Sequence, residues 1–110
     1  MKETIKFEEF LKFDIRIGTV VKAESVEGSE KLILASVELE KGNVRQLVAG
    51  IGKSYEPVEL EGRQLVILAN LEPRKIFGFW SEGMILAVGD ESGPVILSPL
   101  TEVESGKAVT

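Results

Sequence analysis

From residue 14 onward the chain is written in short apolar runs broken every few positions by glycine, proline or charge. "DIRIGTVVKAESV" (14–26) alternates Ile15 and Ile17 with polar neighbours, the period-two signature of a half-buried strand. Gly18 inside that run predicts a bulge or sharp bend. "KLILASVELE" (31–40) passes through Lys41-Gly42-Asn43 into "VRQLVAGI" (44–51), which reads as a hairpin. "GKSYEPVELEGR" is rich in turn residues and predicts a loop or a single helical turn, and "QLVILANL" (64–71) is apolar enough for a buried strand. "GMILAVGD" and "GPVILSPL" form one more pair around Asp90-Glu91-Ser92-Gly93. Only the start differs: "IKFEEFLKF" (5–13) sets Phe7, Phe10 and Leu11 at i, i+3, i+4, the spacing of one helix face, with Glu8 and Glu9 suited to a helix N-terminus.

Five or six short strands, one of them bent at a glycine, predict an all-β fold, a small closed barrel rather than a βαβ sheet. The lone helix stands too early to be a crossover. With 110 residues the chain has room for one domain: an N-terminal helix in 1–13, a barrel in 14–100 and a C-terminal extension, weakly patterned, in 101–110. No apolar run approaches the roughly 20 residues of a membrane helix, and the polar start has no signal-peptide pattern. A cytoplasmic protein that does not enter membranes is expected.

Composition changes the picture mainly by what is missing. The chain has neither Cys nor His, so thiol nucleophiles, Ser-His triads, disulfides and the usual zinc sites are excluded. The side chain best suited to proton transfer near neutrality is absent as well. These absences leave a carboxylate or Lys enzyme as the last-ranked alternative; no catalytic residue, metal ligand or cofactor site is expected, and the chain reads as a non-enzyme. A net charge of −5 is unfavourable for binding a polyanion. The order of charges softens this, because after Lys75 the only basic residue is Lys107 while Glu82, Asp90, Glu91, Glu102 and Glu104 crowd the same tail.

Short motifs are weak here. "LVAGIGKS" (47–54) has Leu47 where a phosphate loop needs glycine, and Gly50-Ile51-Gly52 has Tyr55 where a dinucleotide fingerprint needs its third; a strand-end turn is the expected reading. The carboxylate pairs Glu8-Glu9, Glu38/Glu40 and Glu59/Glu61 read as solvated faces. "NLEPRKIFGFWSEGMILA" (70–87) asks for more. It places the chain's only adjacent Arg-Lys pair, Arg74-Lys75, on a turn after Pro73, next to Phe77, Phe79 and Trp80. Residue types leave two accounts open. In one the aromatics plug a barrel end and the cations are solvated; in the other the cations meet phosphates and an aromatic meets a base.

That segment resembles the signature of the tRNA-binding domain family, found as free-standing dimers and at the C-terminus of some methionyl-tRNA synthetases, with relatives among synthetase-associated cofactors and CsaA-type chaperones. The resemblance runs through "FDIRIGTVVKAE", "EKLILASVEL", "VRQLVAGIGKSYEPVELEGRQLVILANL" and "GPVILSP", nearly the whole chain. It implies an OB-fold, a five-stranded barrel here carrying a short N-terminal helix and a C-terminal extension, and binding of tRNA by shape, largely independent of sequence. It further implies that Asn70, Arg74 and Lys75 contact backbone or ribose. Ser81 would donate to phosphate or sugar, and Met84 would pack on a base, unless it fills the core. Lys31 and Arg45 would extend the positive face, with Trp80 as the stacking candidate. Phe7, Phe10 and Leu11 would close a homodimer, and a methionyl-tRNA synthetase would be the partner assisted in trans; the alternative is a CsaA-like chaperone. Three positions depart from the family: the loop Val26–Leu32 lacks a His-Pro, Glu72 stands where Lys is common, and Phe77 where Arg or Met is common. Each makes the surface less basic.

Overall fold

The computed structural model describes residues 1–110 in full. Its elements in chain order are α1 (Phe7–Phe10), β1 (Ile15–Ser25), β2 (Ile33–Glu40), β3 (Asn43–Ala49), α2 (Pro57–Leu60), β4 (Gln64–Leu68), β5 (Arg74–Ile76), β6 (Phe79–Ser81), β7 (Met84–Ile85), β8 (Ala87–Asp90) and β9 (Gly93–Ile96). A curled antiparallel sheet runs β3-β2-β1-β4-β7, with β5-β6 and β8-β9 as separate two-stranded ribbons. This is an OB-like fold. No helix is long and apolar enough to cross a membrane.

The long first strand makes the curl. Residues Ile15–Thr19 pair with β4, and Thr19–Ser25 pair with β2, so β1 changes partners near its glycine. The bulge predicted at Gly18 falls instead between Val20 and Lys22. Gly18 serves close packing: a β-carbon there would stand 2.5 Å from Val37 Cγ1 and 2.9 Å from Leu39 Cδ2. Strict alternation puts Ile33, Ala35, Val37 and Leu39 of β2 inside, as pleating requires. They meet Val20, Leu47, Leu65 and Ile67 in one core, with Leu60 of α2 fully buried among them. The expected single helical turn between strands is thus α2.

Two expectations change at the ends. The N-terminal helix is one turn, Phe7–Phe10, held by the Lys6 N–H donating to Glu9 Oε1 at 3.1 Å. None of its residues is buried, and so short a helix gains little without a packed face. The tail, by contrast, is structured. Where β2 leaves the first half of β1, residues 106–109 take its place: the amides of Ile17, Gly106 and Val109 bond to Lys107, Ile17 and Ile15 carbonyls at 2.7–2.9 Å. The Gln64 side-chain amide adds a two-way pairing with the Val103 backbone.

Replacing Gly18 with Ala forces Val37 and Leu39 apart. Overpacking of this kind costs roughly 1–3 kcal/mol, so the thermal midpoint should fall by several degrees in a calorimetric scan.

Candidate functional site

Three short strands that follow β4 build the candidate site. Pro73 cannot donate to a ladder, and after it the chain enters β5, turns at Phe77-Gly78 and returns as β6, pairing Arg74 with Ser81, Lys75 with Trp80 and Ile76 with Phe79. Phe77 and Gly78 both have positive φ, +52° and +89°, the geometry of a two-residue type I′ hairpin. Asn-Gly is the usual choice there, and an aromatic in the left-handed region carries strain. Phe77 is the one non-glycine residue so placed. Its ring reaches across to the loop before β2, where a β-carbon on Gly28 would lie 3.5 Å away.

The hairpin divides the Arg-Lys pair. Expected together on a turn, Arg74 and Lys75 occupy successive strand positions, which face opposite sides. Arg74 and Ile76 line a groove of about 300 Å³ with Val48, Ile51, Leu71, Glu72, Ser81, Met84, Ile85 and Pro94. Lys75 lies on the other face, opposite Trp80. The aromatics do not plug the barrel: Phe77 and Trp80 are more than half exposed, at 56% and 55%, and Phe79 is 38% exposed. Met84 is on the groove wall rather than in the core, 44% exposed.

Lys31, in the loop before β2, does not line the groove but runs beside one of its residues. Its aliphatic stem crosses Gly50, a groove residue, with Cδ 3.8 Å from the position of a β-carbon. The Gly52 N–H donates to the Lys31 carbonyl at 2.7 Å, and a β-carbon on Gly52 would stand 2.8 Å from that oxygen. The Gly-Ile-Gly run is therefore a seat for Lys31, not a phosphate loop. Lys31, Arg74 and Lys75 form no ion pair, whereas Arg16, Lys22, Lys53 and Lys107 each hold a carboxylate. Arg16, bridging Asp14 and Glu40, has its pKa raised by the Asp14 hydrogen bond first, against a smaller opposing effect of burial.

Other expected contacts have structural duties. Ser81 is only 5% exposed; its Oγ accepts from the Val48 N–H at 3.0 Å and donates to the Gly83 carbonyl at 3.1 Å. The hydroxyl proton expected to serve a phosphate or sugar is already used. Asn70 clamps the N-terminal segment, Oδ1 accepting from the Asp14 N–H at 2.8 Å and Nδ2 donating to the Lys12 carbonyl at 2.7 Å. Arg45 donates from Nη1 to the Ala69 carbonyl at 2.6 Å. It lies in a neighbouring depression with Asn70, Glu72 and Glu82, so it does not join Arg74 on an open cationic face. Phe7, Phe10 and Leu11 sit apart from the groove's lining, with Phe7 and Leu11 69% and 62% exposed. Glu72 and Ile76 also line the groove, and no alternation of polar and apolar residues around Phe77-Gly78 announces it.

What this arrangement offers is an apolar slot with cations at its rim and an exposed indole on the reverse of the same ribbon. Residues 15–108 match the family model described as "Putative tRNA binding domain". A methionine–tRNA ligase of Methanothrix thermoacetophila is 50% identical over 105 residues, 96% of this chain but 15% of the ligase; the chain thus spans a small fraction of such relatives. Among solved structures, a MetRS-related protein from Pyrococcus horikoshii superposes with a TM-score of 0.90 at 34% identity, covering 99% of this chain and 100% of that one. The chaperone CsaA from Bacillus anthracis gives 0.89 at 34% identity, over 98% and 100% of the two chains.

Removing the Ser81 hydroxyl leaves a buried amide without its partner, which costs about 1–3 kcal/mol. Ser81→Ala should lower the denaturant midpoint and raise the hydrogen-exchange rate of the Val48 amide above that of its strand neighbours.

Proposed function

The chain belongs to the tRNA-binding domain family, and from that premise we propose that it binds tRNA by shape, largely without regard to sequence, as a homodimer in the cytoplasm that supplies RNA affinity to methionyl-tRNA synthetase in trans. The single observation that carries this is that three unpaired cations and an exposed tryptophan are carried on the two faces of one hairpin and on its neighbouring loop. Lys31 and Arg74 engage phosphates at the groove rim. Trp80 and Lys75 take a base and its phosphate on the outer face, since indole stacking tolerates any base. Met84 packs on a base within the groove. Asn70, Ser81 and Arg45 act by holding this surface in place.

Few cations are involved, so one copy binds weakly and a second copy multiplies the contacts. The exposed Phe7 and Leu11, with the half-exposed Phe10, supply an apolar face for a twofold contact. Asn70 fixes that segment against the strand that enters the hairpin.

A second reading has its own support. The groove is mainly apolar, and the CsaA structure superposes over nearly the full chain, which favours a chaperone gripping unfolded polypeptide. Gel-shift titration with unfractionated tRNA separates the two. A tRNA binder loses affinity steeply as salt rises, and Arg74→Ala should weaken it and flatten the log–log salt slope by about one unit. No shift with tRNA, together with suppressed aggregation of a denatured client, would favour the chaperone.

The dimer is checked separately. Sedimentation at micromolar concentration should give twice the 12.0 kDa chain mass, and the double substitution Phe7→Lys with Leu11→Lys should return it to one.

A further inference from the structure

We propose that the groove beside the hairpin is a pocket for one unpaired guanine, with Glu72 as the residue that reads it. This rests on the RNA-binding reading above and adds a base preference to it. Glu72 and Arg74 stand on either side of Pro73 and line the same groove, yet neither belongs to any ion pair and neither donates or accepts a side-chain hydrogen bond within the chain. Opposite charges this near in sequence, both left open on one slot, offer a ligand a matched acceptor and donor. Proline locks its own φ, which stiffens the spacing between them.

The slot's size and lining choose among ligands. At about 300 Å³ it lies at the small end of small-molecule sites, enough for one nucleoside and not for a folded segment. Leu71, Ile76, Met84 and Ile85 make its walls apolar, and a thioether packs well against an aromatic ring. Ser81, the other polar side chain present, has its hydroxyl occupied, so it does not compete for the base.

Carboxylates accept hydrogen bonds and cannot donate them. The base that suits Glu72 must therefore present donors side by side. Guanine does so with N1–H and its exocyclic amine, which meet the two carboxylate oxygens together. Adenine and cytosine set a ring acceptor beside their amine, and uracil has one donor between two carbonyls; each of these puts a lone pair against the carboxylate. Arg74 then holds the phosphate of the same nucleotide, and Lys31 at the Gly50 rim holds the next.

The probes are labelled uridine hexamers carrying one central guanosine, one central adenosine or neither, titrated into protein with ¹³C-methyl methionine. The chain has two methionines, so the Met84 methyl is a resolved reporter inside the groove. The guanosine hexamer should bind about tenfold more tightly than the others, the scale of a bidentate base contact, and shift the Met84 resonance. Glu72→Gln should reduce that preference severalfold. Glu72→Lys should abolish it while tightening all three complexes; Glu72 is exposed and makes no internal bond, so both variants should fold. Equal affinity for the three hexamers, or an unmoved Met84 methyl, overturns the guanine pocket even where the tRNA gel shift persists. Loss of the gel shift itself overturns the RNA reading and the pocket with it.

Discussion

The free edge of the curled sheet is tied down by side chains and a single backbone bond where a strand ladder would ordinarily do it. β3 ends the five-stranded sheet, and its free edge must be satisfied by something, because buried amides without partners are costly. Here the Val48 amide finds Ser81 Oγ, the Glu82 amide finds the Gln46 carbonyl, and the Gln46 side chain reaches the Trp80 carbonyl. Ser81 is the buried point of this seam. The surface depends on it, since Ser81 follows Trp80 in the strand and pairs with Arg74 across the hairpin.

Gly83 makes the clasp fit. It has φ +141°, and a β-carbon would lie 3.0 Å from the Leu68 carbonyl and 3.2 Å from Leu47 Cδ2. The chain can thus dive from the clasp directly onto β4 as β7, pairing Met84 with Leu68. The groove lies between the hairpin, the end of β3 and β7, all of which contribute lining residues. Ser-Glu-Gly-Met therefore reads as a unit with one job: close the edge, turn, and leave Met84 on the wall.

Much of the fold is legible in the chain because period-two burial is a local property. Ile33, Ala35, Val37 and Leu39 announce their strand, and Lys41-Gly42-Asn43 announces its turn. The amphipathic spacing of Phe7, Phe10 and Leu11 announces a helix, but spacing says nothing about whether a partner face exists, and only one turn forms. The site was less legible. Phe77 conceals a hairpin turn normally marked by Asn-Gly, so Arg74 and Lys75 read as neighbours on a loop when they lie back to back. The duties of Ser81 and Asn70 could not be read either, because their partners, Val48 and Lys12, are 33 and 58 residues away. Hydrogen bonds of that reach leave no periodic trace.

The opposition between an acidic chain and a polyanionic ligand is resolved by distance. At physiological ionic strength exposed charges are screened beyond about 8 Å, so the net −5 acts on approach more than at contact. Near the groove the balance is local: Glu30, next to Lys31 in the chain, is drawn to Lys53 at 3.7 Å, while Lys31, Arg74 and Lys75 keep their charge for a ligand. A protein built this way gains little from long-range steering and must draw its affinity from close contacts that form only after encounter. Shape then matters more than field, which accords with the proposed recognition of a folded RNA, because a flexible polyanion could seldom meet both faces of one short hairpin at once.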